Sequence, residues 1–243
     1  MQLKQESTKS LINTQIHLIS DVSYQSVWDF QMTLHNQLKN QKSAQQNYDK
    51  SNSSILNHIV ICEHLPVYTL GTSAKRQNII KSESQLQEDG FELFDINRGG
   101  DITYHGPGQI TGYLIFDLEL LYRDIHRYVS NIELAIILVL REYGLDPVRV
   151  TGLTGVWLMD NQGMRKICAI GVHLSRWVSL HGFGFNVSSD LSHFDNIIPC
   201  GIADRDKSVT SLSKEIGRDI SVAEVRPILL EKLKLVFNLK LLK

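Results

Sequence analysis

The chain is short of cysteine, of net charge and of long apolar runs, and each shortage closes off a class of protein. Three cysteines occur among 243 residues, Cys62, Cys168 and Cys200. The number is odd and no two stand at a C-x-x-C spacing, so neither a disulfide framework nor a zinc-type metal site is expected. Free thiols in a reducing cytoplasm are the simpler expectation. The formal net charge is −1. That excludes the basic excess of a bulk nucleic-acid binder, although a local basic patch could still face an acidic partner. No run reaches the ~18 apolar residues that a membrane span needs. The longest, LAIILVL at 134–140, lies inside an amphipathic pattern. The opening MQLKQESTKS carries Glu6 and has no apolar core, unlike a signal or transit peptide. The phosphate-loop spacing G-x-x-x-x-G-K-[ST] is also missing.

What is present suits one globular domain. Hydrophobic residues make up 42% and charged residues 21%, an ordinary balance for a water-soluble fold. QIHLI (15–19) reads as a first strand, and residues 21–41 as a helix with Asp21 as N-cap and Val27, Phe30, Leu34 and Leu38 on one face. Residues 42–54 are polar throughout and are expected to form a solvated surface loop. Two strands, 55–64 and 66–71, flank Pro66, and 91–96 gives another. ITGYLIFDLEL (110–120) is nearly continuous in apolar residues, the pattern of a strand buried on both faces.

Residues 124–143 carry the clearest helical stripe, stopped by Gly144 and Pro147. Residues 155–174 form a hairpin turning at Asp160–Gly163, and 178–187 a further strand. A C-terminal helix starts near Ser221, which with Glu224 makes a capping-box pattern. Pro227 fits that helix badly and implies a kink or a later start. Many strands with few helices and no regular βαβ alternation indicate an α+β domain, a mixed sheet flanked by helices. No repeat or linker divides residues 1–243.

The stretch RGGDITYHGPGQ (98–109) concentrates glycine, proline, imidazole and guanidinium. Its glycines let backbone N–H groups approach a ligand, or they simply make two turns in a long loop. Arg98 suits a phosphate or carboxylate, and equally a surface position. Cys200 lies between Pro199 and Gly201, a turn that would project its thiol, although a free cysteine is more often a small hydrophobe. A thiol needs activation at neutral pH, and His105, His173, His181 and Lys166 are the basic candidates. His105 and His181 each stand next to glycine and could be turn residues. Regular alternation along RKICAIGVHL puts Lys166 on one face with Cys168, Ile170 and Val172. Lys166 is then either an edge-strand gatekeeper or a partly desolvated lysine with a chemical role.

Taken together, EHLPVYTLG, RGGDITYHGPGQITGY, RKICAIGVHL, HGFGFNV and IIPCGI…VTSL closely resemble the lipoyl(octanoyl) transferases, in order and spacing, over roughly residues 15–240. The resemblance implies a fold like the catalytic domain of biotin and lipoate protein ligases, and no cofactor or metal. It implies an octanoyl group moved from acyl carrier protein to a lysine of lipoyl domains, those of the 2-oxoacid dehydrogenase complexes and the glycine cleavage H protein, through a cysteine thioester. Cys200 matches the family's acyl-accepting cysteine and Lys166 its active-site lysine. Arg98, Gly99, Gly100, Asp101, Ile102, Thr103, Tyr104 and His105 match one substrate-lining segment. Ala169, Ile170 and Gly171 match a second, and His181, Gly182 and Phe183 a third.

On this basis residues 98–109 are expected to wall an acyl pocket, with Gly106 and Gly108 leaving room for the chain, Tyr104 and His105 shaping the mouth, and Cys168 bordering the site. Two other readings compete. An ATP-dependent lipoate or biotin ligase would need an adenylate site and no nucleophilic cysteine. A non-catalytic acyl- or carrier-binding module would need neither Cys200 nor Lys166.

Overall fold

Strand alternation in the middle of the chain decides which face each helix covers. The computed structural model describes residues 11–44, 55–161, 163–198 and 207–242. In chain order these form β1 (Ile12–Val22), α1 (Tyr24–Ala44), β2 (Asn57–His64), β3 (Val67–Leu70), α2 (Glu83–Glu88), β4 (Glu92–Asp95), β5 (Ile102–His105) and β6 (Gln109–Ile115). There follow α3 (Leu118–Leu121), α4 (Ile125–Glu142), β7 (Val148–Val150), β8 (Leu153–Asp160), β9 (Gly163–Ser175), β10 (Val178–Asn186), β11 (Lys207–Val209), α5 (Leu212–Ile216), α6 (Val222–Phe237) and β12 (Leu239–Leu242).

The main sheet runs β12-β1-β2-β6-β10-β9-β8-β7. β1 is parallel to β12 and β2, and the other neighbours on this path are antiparallel. β11 adds a parallel pairing beside the start of β9. A small second sheet, β4-β3-β5, carries the glycine-rich segment. The domain is α+β with a mixed sheet and flanking helices, as expected.

β2 is apolar throughout because both faces are covered. Ile59 and Ile61 join the cluster under α4 and α6, whereas Val60 and Cys62 join the cluster under α1. β6 divides the same way, with Ile110 and Leu114 on the first face and Tyr113 and Ile115 on the second. α4 starts where Asp124 accepts the Arg127 N–H at 3.0 Å and buries Ile132, Ile136, Val139 and Leu140. The small sheet has its own cluster around Tyr68, Phe91, Tyr104 and Phe194.

Four details differ from the expectations. β1 continues through Asp21 to Val22, so Asp21 belongs to the strand rather than to the start of the helix. The helix follows Ser23, whose hydroxyl accepts the Ser26 N–H at 3.3 Å. Residues 42–44 are the last turn of α1, where Lys42 reaches Asp117 at 2.9 Å and Glu119 at 3.2 Å. The rest of the expected loop, 45–54, lies outside the described residues. β6 stops at Ile115, because Asp117 accepts the Glu119 N–H and starts α3. Pro227 sits inside α6. The Ser221 cap and the burial of Val225, Leu229 and Leu233 keep the helix together although a proline there removes one backbone bond.

Gly108 shows what this packing demands. Its φ is +77°, and a Cβ there would lie 2.7 Å from the carbonyl carbon of Ser188. Its N–H donates to the Glu63 carboxylate and its C=O accepts from Val187 and Ser188. Gly108→Val is expected to lower unfolding free energy by about 2 kcal/mol or more, from the left-handed backbone and the contact together. Urea titration of both proteins checks this, and an unchanged midpoint would contradict it.

Candidate active site

A cavity of about 840 Å³ opens on the face of β6, β10 and β9 that carries Thr111, Gly184 and Ala169. It is bounded by the loop before β5, by Tyr24 of α1, and by the start of α4 with the β7–β8 turn.

The loop at 98–100 is clamped from both sides. The buried Arg98 guanidinium donates to the Thr69 carbonyl at 2.6 Å, the Thr69 hydroxyl at 3.0 Å and the Gly99 carbonyl at 3.1 Å. Much of its donor fork therefore holds backbone. The Gly99 N–H donates to the Val172 carbonyl at 3.0 Å, which docks the loop on β9. A Cβ on Gly171 would sit 2.5 Å from the Gly99 carbonyl oxygen. Glycine at 171 is thus required by one backbone lying on another.

Arg98, Gly99, Gly100, Asp101, Ile102, Thr103 and His105 line the cavity. Tyr104 does not: its ring packs against Tyr68, Phe91 and Phe194, and its hydroxyl lies 2.8 Å from His193 Nδ1. The expectation that Gly106 and Gly108 leave room for a ligand is corrected. The space at Gly106 is filled by the Tyr104 ring, and that at Gly108 by the Ser188–Ser189 backbone.

His105 and His181 both face the cavity and both are buried. His105 pairs through Nδ1 with Gln109 Oε1 at 2.7 Å, and His181 through Nε2 with Asn97 Oδ1 at 2.7 Å. Burial pushes each imidazole down to about 3, helped by His64 beside His105 and by Arg98 beside His181. Both are therefore neutral and weak bases at physiological pH. A relay of side-chain amides joins the glycine-rich segment to Lys166. Gln109 Nε2 donates to Asn186 Oδ1 at 2.9 Å, Asn186 Nδ2 to the Thr210 carbonyl at 3.0 Å, and the Thr210 N–H to the Lys166 carbonyl at 2.9 Å.

Lys166 enters the cavity for a reason that regular alternation misses. Trp157 pairs with Lys166 but its neighbour Val156 pairs with Cys168, so β9 has one extra residue, a β-bulge at Ile167. Ile167 and Cys168 both turn into the main core. Lys166 is left with Ala169, Ile170 and Gly171 along the cavity, its ammonium 4.5 Å from the Trp157 ring centroid. The expectation that Cys168 borders the site is overturned. Its thiol is fully buried and burial pushes its pKa well up. Cys62 is likewise buried and raised, first by desolvation. Gly182 and Phe183 complete the β10 wall beside His181. Cys200 lies outside the described residues. The described strand that follows it, β11, sets Val209 opposite Lys166.

Sequence reasoning passed over Thr69, Gln109, Asn186, Trp157 and Glu133. Among the described residues no group of three or more His, Cys, Asp or Glu is placed to hold a metal ion. None of the described helices is long and apolar enough to cross a membrane.

Residues 23–234 match the family of lipoyl protein ligase A/B catalytic domains, and the chain belongs to that family. It is 44% identical over 240 residues to an octanoyltransferase of Cytophaga hutchinsonii, covering 98% of this chain and 96% of that one. It is 48% identical over 206 residues to an octanoyltransferase of Flavobacterium johnsoniae, covering 84% and 87%. Among solved structures, a bipartite lipoate protein ligase from Thermoplasma acidophilum superposes with a TM-score of 0.70 at 17% identity, over 96% of this chain and 87% of that chain. A lipoate-protein ligase A bound with ATP gives 0.64 at 15%, over 96% and 90%. At these identities the solved structures establish the fold alone.

The histidines give a pH prediction. A histidine whose folded pKa lies below its unfolded value of ~6.5 contributes stability above that pH and loses it as pH falls towards the folded value. His105 and His181 at about 3 and His64 at about 4, all lowered chiefly by desolvation, act in this sense. Between pH 6.5 and 4 each is expected to remove up to about 1.4 kcal/mol per pH unit. Urea midpoints at pH 7.5, 6 and 5 should fall steeply, and ring NMR signals of His105 and His181 should not titrate above pH 5. A flat stability profile, or mid-range titration of either ring, would contradict the assignment.

Proposed function

We propose that this chain, acting as one catalytic domain, is an octanoyltransferase of protein lipoylation. It takes an octanoyl group from acyl carrier protein and places it on a lysine of lipoyl domains, among them those of 2-oxoacid dehydrogenase complexes and the glycine cleavage H protein. The observation that carries this reading is 44% identity to an octanoyltransferase over 98% of the chain. The position of Lys166 in a glycine-walled cavity supports it. The setting is the cytoplasm, consistent with buried free thiols at Cys62 and Cys168.

Cys200 is the nucleophile in this reading. An ammonium at Lys166 favours its thiolate. The thiolate attacks the carrier's thioester carbonyl, a new C–S bond forms and the old one breaks, and the carrier leaves as a thiol by taking a proton from the Lys166 ammonium, which becomes a free amine. One thioester replaces another, so no nucleotide is consumed. The acceptor lysine, as free amine, then attacks the enzyme thioester. Its proton passes to Lys166, the C–N bond forms, and Cys200 departs as thiolate. The buried, neutral His105 and His181 suit positioning and wall roles rather than that of base. Arg98–His105, Ala169–Gly171 and His181–Phe183 line the substrate site in this reading, with Tyr104 acting from behind the cavity wall.

The competing ligase reading draws on the fold shared with an ATP-bound lipoate-protein ligase A. Purified protein incubated with octanoyl-carrier protein and a lipoyl domain, without nucleotide, separates the two. Transfer is expected, with an octanoyl adduct in the intact mass. Cys200→Ser should abolish both, and Lys166→Ala should cut transfer by about 10²-fold or more while the protein stays folded. Transfer only with ATP, or near wild-type transfer by Cys200→Ser, would refute the reading.

A further inference from the structure

Among the described residues, one short stretch of the edge of β9 has no strand partner. The Val172 carbonyl accepts from Gly99, away from β10. In an antiparallel pair successive residues send their N–H and C=O alternately to one side and the other. The β9–β10 register is unbroken from Cys168 to Ser175, so Ile170, like Val172, presents both groups to the side away from β10. On that side β8 pairs with β9 only as far as Val156 and Cys168. The next partner in register would be Thr154 opposite Ile170, and no such pair forms.

The cause is local. Gly155 adopts a φ of +124°, and its N–H donates at 3.0 Å to Glu133 Oε1 of α4. Glu133 is buried and held by Arg149, whose Nε lies 3.1 Å from its other oxygen. Arg149 is fixed in turn on the Ser130 carbonyl at 2.8 Å. This bracket peels the start of β8 away. Thr154, Gly152, Glu133 and Ile170 then line the same cavity as Lys166.

We infer that the open edge at Ile170 binds the amide-bearing pantetheine arm through which an acyl carrier presents its thioester, and that Glu133 is the positioning residue that keeps this edge open. This rests on the transfer reading above. The window is one residue wide, since Val172 is taken by Gly99 and Cys168 faces Val156. A peptide strand needs several alternate residues to pair. A flexible aliphatic arm with spaced amides needs one donor and one acceptor. Its carbonyl accepts from the Ile170 N–H and its own N–H donates to the Ile170 carbonyl.

The test compares S-octanoyl-pantetheine with two analogues, each having one amide N–H replaced by an ester oxygen. In the wild-type protein at least one analogue should show kcat/KM lower by about tenfold, as expected for losing a hydrogen bond and leaving a carbonyl unpaired. Glu133→Ala frees Gly155, lets Thr154 close on Ile170, and should shrink that deficit below about twofold. Glu133→Gln keeps an acceptor for Gly155 and should preserve it. If both analogues match the amide donor in the wild type, or if Glu133→Ala keeps the full deficit, the inference is wrong. Failure of octanoyl-carrier protein itself as a donor would instead refute the transfer reading, and this inference with it.

Discussion

The bulge at Ile167 is the constraint on which the site depends. One extra residue in β9 shifts the phase of the strand between Lys166 and Ala169. Without it, a regular strand would put Lys166 on the face of Cys168, in the apolar core beneath α4. There a charged head group would cost several kcal/mol of desolvation without a partner. With it, the same strand supplies Ile167 and Cys168 to the core and Lys166, Ala169 and Gly171 to the cavity. β11 secures the shifted phase from the other side, through the Thr210 N–H on the Lys166 carbonyl.

The glycines serve that geometry more than they serve a ligand directly. Gly171 allows the Gly99 backbone to lie on β9, and Gly182 sits where a Cβ would meet the Gly112 carbonyl oxygen at 2.1 Å. Backbone lying on backbone leaves no space for a side chain at either position. The polar boundary is rigid because its amides satisfy one another, from His105 through Gln109 and Asn186 to Thr210. Such a network resists rearrangement, since breaking one link strands a buried partner.

Much of this was legible in the sequence, and the remainder was illegible for identifiable reasons. The apolar runs of β2 and β6 and the stripe of α4 are local signals; β2 and α4 formed where their patterns stood, whereas β6 ends at Ile115, short of its run, because Asp117 starts α3. Lys166 was legible as an odd residue in an alternating strand. Its true neighbours were not, because the bulge is set by pairing with β8 and leaves no mark in composition. Gln109, Asn186 and Glu133 were missed because their partners lie far along the chain. Gln109 meets Asn186 across 77 residues, and Glu133 meets Gly155 across 22. The start of α1 was misjudged because β1 runs on to Val22, and Ser23 serves a helix start as well as Asp21 would. Gly106 and Gly108 looked like ligand walls because glycine spacing cannot distinguish a ligand from an aromatic ring or a crossing backbone.

The phase of β9 is tested most directly by the thiol it sends into the core. Native protein is exposed briefly to iodoacetamide, digested and mapped, alongside a sample unfolded in urea. Cys168 should remain unmodified in the native sample and react fully in the unfolded one. Rapid alkylation of Cys168 in the native protein would place its thiol in the cavity beside Lys166, and would contradict the bulged strand and the site built on it.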